Sequence, residues 1–320
     1  MSKVVVVGAG AWGTALALQA VRAGHDVALV ARDAVSASAI LDSRETRRLP
    51  GHRLPSKIDV RHDVPSDADL SLWVVPTQHL RASLLRMRPT GRSIVVCAKG
   101  VEAATGLLPL EIVSETHPAL TVAVLTGPTF ASELAHGLPA AAVVAGTDIG
   151  LRERVLGMLG TQSFRLYGND DPVGAQLGGA AKNVVAIAAG AVIGAGLGEN
   201  ARAALVTRGL SEIRRLAVAL GGRAETVMGL SGLGDLLLTC TGPSSRNFSL
   251  GHALGRGDSL SDILAHRSAV TEGVTTAAAL VVRAGQVELP ICRAVADLLT
   301  GVQTLDQAIA RLLSRPQRDE

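Results

Sequence analysis

The sequence predicts an α/β protein: a doubly wound parallel sheet in the first half, followed by an all-helical C-terminal domain. Three observations predict it. Seven short apolar, β-branched runs alternate with helical or loop segments in the first half. These runs are apolar almost throughout, as parallel strands covered on both faces must be. After about Asp171 the strand signals stop, and the apolar patterns that follow have helical length. The boundary is placed there, giving domains 1–171 and 172–320.

The expected strands are Lys3–Val7, Asp26–Val30, Leu70–Val75, Ile94–Ala98, Val122–Leu125, Ala141–Ala145 and Ser163–Leu166. The expected helices of the second half are Pro172–Gly194, Asn200–Leu220, Arg223–Gly229, Leu260–His266, Thr275–Ala284 and Ala294–Leu299. The polar tail Ser314–Glu320 reads as frayed.

A chain of 320 residues with 48% apolar and 18% charged residues can bury a large core and is not disordered. With six aromatic residues in the chain, the core must be built from Ala, Val, Leu and Ile. A net charge of +3, scattered basic residues apart from the run Arg44–Arg48, and almost no stacking aromatics argue against a nucleic-acid partner. Three widely spaced cysteines with no CxxC argue against a disulfide framework and a structural zinc site, and fit the cytoplasm. The eight histidines show no metal-ligand spacing, so no metal is expected. The start is a buried strand rather than a signal peptide. The longest uncharged stretch, Asn183–Gly198, has 16 residues, short of the ~20 that span a bilayer, and reads as a buried helix.

Lys3–Val7 runs into Gly8-Ala9-Gly10-Ala11-Trp12-Gly13 and then a helical Thr14–Ala23. This is GxGxxG between a strand and a helix, the dinucleotide cradle of a Rossmann-like sheet. Gly8 makes the turn, Gly10 lets the backbone approach a pyrophosphate, and Gly13 allows close helix packing. The helix N-terminus offers unpaired N–H groups to the phosphates. Trp12 either packs on the cofactor or covers the loop. At the end of the second strand, Ala31 stands where an acid would read a ribose 2′-hydroxyl, and Arg32 follows. A guanidinium there suits a 2′-phosphate, so NADP(H) is preferred, with NAD(H) as the alternative. Asp33 competes with this reading by pairing with Arg32 or reaching the ribose itself.

Of the 31 cationic residues only four are lysines: Lys3, Lys57, Lys99 and Lys182. Lys99 ends a strand, on the side where doubly wound sheets bind ligands. Lys182 lies on an otherwise apolar helix, so its ammonium must end among polar groups. Such a lysine can serve as acid or base. Downstream lie Asp235 and the triplet Ser245-Arg246-Asn247, which can converge on a phosphate. Each has a plainer reading. Asp235 can cap a helix, Thr129 can cap a helix from Phe130, Glu272 can complement a helix dipole, and His136 reads as a structural loop residue.

These motifs resemble the bacterial NAD(P)-dependent glycerol-3-phosphate dehydrogenase family along nearly the whole chain. The shared segments are Gly8–Leu16, Ala98–Glu102, Gly127–Ala131, Leu177–Val184, Asn200–Leu205, Thr207–Leu210, Gly232–Leu236, Thr239–Thr241, Ser245–Asn247, Glu272–Val274 and Leu289–Ile291. Gln176 departs from the glutamate usual in the family. The resemblance implies reversible hydride transfer between NAD(P)H and dihydroxyacetone phosphate, giving sn-glycerol 3-phosphate for glycerophospholipid synthesis. It implies Lys182 as acid/base, assisted by Lys99 and Asp235. Substrate would be bound by Lys99, Gly127, Thr129, Lys182, Asp235, Ser245, Arg246 and Asn247. Cofactor would be contacted by Gly8, Gly10, Ala11, Trp12, Gly13, Arg32, Lys99, Ala131, Arg246, Val270 and Glu272. It also implies a homodimer in the cytoplasm. Two alternatives are a β-hydroxyacid dehydrogenase of the same superfamily acting on a carboxylate substrate, and a nucleotide-responsive binding protein without catalysis.

Overall fold

The computed structural model describes residues 2–266 and 271–314. The strands are β1 (Lys3–Val7), β2 (Asp26–Val30), β3 (Ile58–Arg61), β4 (Leu70–Trp73), β5 (Ser93–Val96), β6 (Thr121–Thr126), β7 (Ala140–Ala145) and β8 (Phe164–Asn169). The helices that accompany them are α1 (Ala11–Arg22), α2 (Ala34–Ser43), α3 (Thr77–Met87), α4 (Pro109–Thr116), α5 (Ala131–His136) and α6 (Ile149–Leu159). Then follow α7 (Pro172–Gly194), α8 (Gly198–Ala219), α9 (Ala224–Val227), α10 (Asp235–Cys240), α11 (Arg246–Gly255), α12 (Leu260–Ala265), α13 (Glu272–Ala284), α14 (Pro290–Leu299) and α15 (Leu305–Leu313). A π turn, Leu230–Gly234, leads into α10.

The chain divides into two compact units. One holds the chain up to Lys99 together with Leu108–Gln176, and the other holds Gly100–Leu107 together with the chain from Leu177. The division falls inside α7.

The first unit is one eight-stranded sheet in the order β3-β2-β1-β4-β5-β6-β7-β8. All neighbours are parallel except β6 and β7. Val4 to Val7 of β1 are fully buried, which explains why the central strand is four consecutive valines. Strand order reverses at β1, between β2 and β4, so ligands are expected outside the carboxyl ends of these strands.

All seven expected strands are present, with ends shifted by a residue or more in most of them. The short edge strand β3 was not expected; its sequence, Ile-Asp-Val-Arg, alternates in and out with a charge at every second position. The antiparallel β7 departs from the all-parallel expectation. In the second unit α10, α11 and α15 go beyond the expected helices. Of the tail Ser314–Glu320, residues 315–320 lie outside the described residues.

The helix α7 is long and apolar enough to cross a membrane by length and composition, but 89% of its apolar window is buried inside the protein. It packs at very close range. A Cβ on Gly190 would stand 2.0 Å from Phe248 O of α11, and one on Gly251 of α11 would stand 1.9 Å from Ile187 O. The small residues that lower the helix propensity of these segments are thus what lets the two backbones touch.

Candidate active site

The glycine loop is built around two close approaches. Gly8 has φ +115°, and its N–H donates to Val30 O of β2 at 2.9 Å, carrying the β1–β2 ladder to the start of the loop. A Cβ on Gly13 would lie 1.8 Å from Gly8 O, so only glycine allows α1 to start there. Gly10 differs: a Cβ would meet nothing within 4 Å. The missing side chain at Gly10 therefore serves no internal packing and leaves open the cradle that a pyrophosphate would fill. Trp12 Nε1 is buried without a hydrogen-bond partner, beside the same loop. These residues fit a dinucleotide.

At the end of β2, Arg32 is largely exposed, and its Nε lies 2.9 Å from Asp33 Oδ2. Asp33 also caps α2, accepting the Ser36 N–H at 2.7 Å. The hydrogen bonds from Ser36, and then the one from Arg32, hold the Asp33 carboxyl well below the usual carboxylate range. Asp33 thus makes the Arg32 pair that the sequence offered as one of its two readings, and it also caps a helix.

Beyond β5, Lys99 Nζ donates to Gly127 O at 3.1 Å. Thr129 Oγ1 donates to the same carbonyl at 3.3 Å. Gly127 has φ +147°, and a Cβ there would lie 2.9 Å from Ala142 Cα. The loop therefore turns sharply enough to aim its carbonyl at Lys99. Thr129 is not the cap of α5: Phe130 holds that position, and the helix starts at Ala131. His136 is the last residue of α5 rather than a loop residue.

In the second unit, Gly178 lets α7 lie against the π turn, because a Cβ there would stand 2.7 Å from Ser231 O. Four residues on, on the same helical face, Lys182 meets α10. Its Nζ lies 2.7 Å from both Asp235 Oδ1 and Thr239 Oγ1. Asp235 and Thr239 are one turn apart, and the Thr239 hydroxyl donates to Asp235 O at 2.6 Å. All three side chains are buried. A buried ammonium is thus paired with a carboxylate and a hydroxyl, as burial requires. Thr239 was not among the expected site residues; the signal was its spacing of four from Asp235.

Ser245 caps α11, its Oγ accepting the Phe248 N–H at 3.2 Å. Arg246 is the exposed first residue of that helix. Asn247 is buried, donating from Nδ2 to Asn183 Oδ1 at 2.9 Å and accepting the Gly273 N–H at 3.1 Å. This fastens the first turn of α11 to that of α13, which begins with Glu272. Val270 lies outside the described residues.

Burial pushes the thiols of Cys97 and Cys240 up to about 12, so neither is a thiolate nucleophile at neutral pH. Gln176 is buried, accepting the Leu110 N–H and donating to Pro172 O, both at 2.9 Å. A carboxylate could make the first bond but not the second.

The family model described as NAD-dependent glycerol-3-phosphate dehydrogenase N-terminus matches residues 3–151. The corresponding C-terminus model matches residues 171–310. This chain belongs to the NAD-dependent glycerol-3-phosphate dehydrogenase family. It is 55% identical over 317 residues to glycerol-3-phosphate dehydrogenase [NAD(P)+] of Acidiphilium cryptum, covering 98% of this chain and 97% of that one. It is 48% identical over 322 residues to the enzyme of the same name from Gluconobacter oxydans, covering 99% and 98%. The crystal structure of glycerol-3-phosphate dehydrogenase from Coxiella burnetii superposes with a TM-score of 0.93 at 34% identity, covering 98% and 99%. The β-hydroxyacid dehydrogenase alternative is not favoured by these matches.

Proposed function

We propose that the protein is an NAD(P)-dependent sn-glycerol-3-phosphate dehydrogenase that interconverts dihydroxyacetone phosphate and sn-glycerol 3-phosphate, with Lys182 as acid/base. The observation that carries this reading is the buried Lys182 ammonium held between Asp235 and Thr239, on segments matched by the family.

The nicotinamide, when bound, supplies or accepts the hydride. In the reducing direction the C2 oxygen of the substrate gains negative charge and needs a proton. Lys182 donates it from Nζ and recovers it in the reverse direction. Asp235 fixes the ammonium in place and offsets its charge, and Thr239 sets its direction. Lys99 supplies a second positive charge, held by Gly127 O, and contributes to substrate and cofactor binding. Gly127 and Thr129 bind substrate. Arg246 and the Ser245 O–H bind the substrate phosphate. Asn247 enters with its second amide N–H, the rest of its amide being engaged internally.

Gly8, Gly10, Ala11, Trp12 and Gly13 bind the dinucleotide, with Ala131, Arg246, Val270 and Glu272 as further contacts. Arg32, with Ala31 before it instead of an acid, favours NADP(H) over NAD(H). The product is a precursor of glycerophospholipids. A cytoplasmic homodimer completes the reading; the buried free cysteines support a reducing compartment.

The test is the loss of NADPH absorbance on adding dihydroxyacetone phosphate, compared with unphosphorylated dihydroxyacetone. Turnover with the phosphate ester and almost none with the triose alone is the expected result. Equal rates would remove the phosphate-binding roles of Ser245 and Arg246.

A further inference from the structure

Threonines in the helices of this protein commonly turn their hydroxyls back onto their own helix. Thr116, Thr207, Thr239, Thr241 and Thr300 each donate to the carbonyl four residues earlier, at 2.6 to 3.0 Å. Thr14, which ends the first turn of α1, does not. Among the described residues its hydroxyl is engaged with Thr46 Oγ1, at 3.1 Å, and both side chains are buried.

The carbonyl that the Thr14 hydroxyl would otherwise reach is Gly10 O. That oxygen already accepts the Thr14 N–H at 2.9 Å, the bond that closes the first turn of α1. A hydroxyl that adds a second bond to such a carbonyl draws it outward and bends the helix. In α1 the bend would fall on Gly10, the residue whose open side forms the cradle. Gly10 is the N-cap of α1, and no side chain caps the helix to oppose the change.

Thr46 is placed by a loop closed at its neck. The Leu54 N–H donates to Arg44 O at 2.7 Å, and Arg44 Nε donates back to Leu54 O at 3.3 Å. Arg44 Nη2 also donates to Ile58 O, at the start of β3, at 3.0 Å. Inside the loop the Leu49 N–H donates to Thr46 O at 3.1 Å, and Leu49 and Leu54 sink into the core. A compact loop fixed at its neck and floor is an Ω-loop. Thr46 is therefore held at a set position against α1, while Thr14 is the partner with an alternative bond.

We propose that Thr46 is a positioning residue for the dinucleotide. By holding the Thr14 hydroxyl away from Gly10 O, it keeps the first turn of α1 straight and the cradle shaped for a pyrophosphate. The proposal rests on placing the dinucleotide at Gly8–Gly13. The two ends of the bond are not equivalent: a released Thr14 hydroxyl bends the turn, whereas a released Thr46 hydroxyl stays on its loop.

NADPH dissociation constants, read by fluorescence on the full chain, test this with variants of unchanged shape. Thr46→Val should raise the constant about three- to tenfold, with kcat at saturating NADPH within about twofold of wild type. Thr46→Ser keeps the hydroxyl and should bind as wild type does. Thr14→Val breaks the same bond from the other side and should bind within about twofold of wild type. The double variant leaves no hydroxyl to turn on Gly10 O and should likewise return to within about twofold. A bond of purely structural worth would instead lower the urea midpoints of the two single variants alike and affect their binding equally. Unchanged binding in Thr46→Val, equal weakening in Thr14→Val, or a double variant as weak as Thr46→Val would each overturn the proposal. Gly10→Ala separates it from the reading beneath it. If Gly10→Ala weakens binding and Thr46→Val does not, the role of Thr46 alone fails; if neither does, the placement of the dinucleotide fails with it.

Discussion

Lys182 Nζ lies 2.7 Å from Asp235 Oδ1, and both side chains are buried. The pair is therefore both a structural element and the chemical centre of the proposed mechanism. Asp235→Asn removes the charge that compensates the ammonium, and breaking a buried pair in this way costs about 3–5 kcal/mol. Urea unfolding should show a loss of that order, with kcat reduced about a hundredfold. Thr239→Val keeps the carboxylate and removes one hydroxyl, so kcat should fall about tenfold or less with a stability loss of about 1 kcal/mol. If Asn at 235 were as active and as stable as wild type, the pair would have neither role.

The glycine loop makes opposite predictions for two glycines three residues apart. Gly13→Ala drives a Cβ to 1.8 Å from Gly8 O, so it should destabilise the first unit by at least about 2 kcal/mol. Gly10→Ala meets nothing within 4 Å and should unfold within about 0.5 kcal/mol of wild type. It should nevertheless weaken NADPH binding about tenfold or more, because its methyl group enters the cradle. Comparing melting curves with cofactor titrations for the two variants checks both statements.

The proposed preference for NADP(H) rests on Arg32. Its guanidinium is 83% exposed and already paired with Asp33, so a 2′-phosphate would have to share or displace that carboxylate. Arg32→Ala should raise the KM for NADPH about tenfold while leaving the KM for NADH nearly unchanged. Equal changes for the two cofactors would mean that Arg32 does not read the 2′-phosphate.

A buried carboxylate outside the proposed site gives the protein a pH signature. Glu212 of α8 accepts the N–H groups of Ile291 and Cys292, at 2.7 and 3.2 Å, at the start of α14. Burial pushes its carboxyl above the ordinary range, and these hydrogen bonds only partly oppose the shift. The folded state then holds the proton more tightly than the unfolded chain. Its contribution is complete below the ordinary glutamate range and is lost as pH rises through the raised value. Glu212→Gln should remove that component: the stability of wild type relative to the variant, read by urea titration, should decline from about pH 4 upward. A constant or rising difference would contradict the shift.

The strands of the first unit were legible because short β-branched apolar runs bounded by turn residues have few other uses. The edge strand β3 was not, since Asp59 and Arg61 break the apolar run at a position where one face meets solvent. The helix α11 carries Gly251 and Gly255, which lower its local helix propensity. Both are contact points, where a Cβ would stand 1.9 Å from Ile187 O and 2.3 Å from Ala191 O. Such glycines answer to a partner distant in sequence, and local pattern carries no trace of it.

The site divides in the same way. Lys182 could be read because an ammonium on an apolar helix must end among polar groups, whereas Asp235 was read as its partner from the family resemblance. That Thr239 completes the cluster, that Asn247 is tied to Asn183 and Gly273, and that Thr46 meets Thr14 all depend on tertiary placement.

The central claim is that Lys182 moves the proton. The most direct measurement is the single-turnover rate of NADPH oxidation by Lys182→Ala with saturating dihydroxyacetone phosphate, alongside its NADPH dissociation constant. Loss of the ammonium should lower the rate about a thousandfold or more, with cofactor affinity within about twofold of wild type. A variant that binds NADPH normally and turns over at the wild-type rate would contradict it.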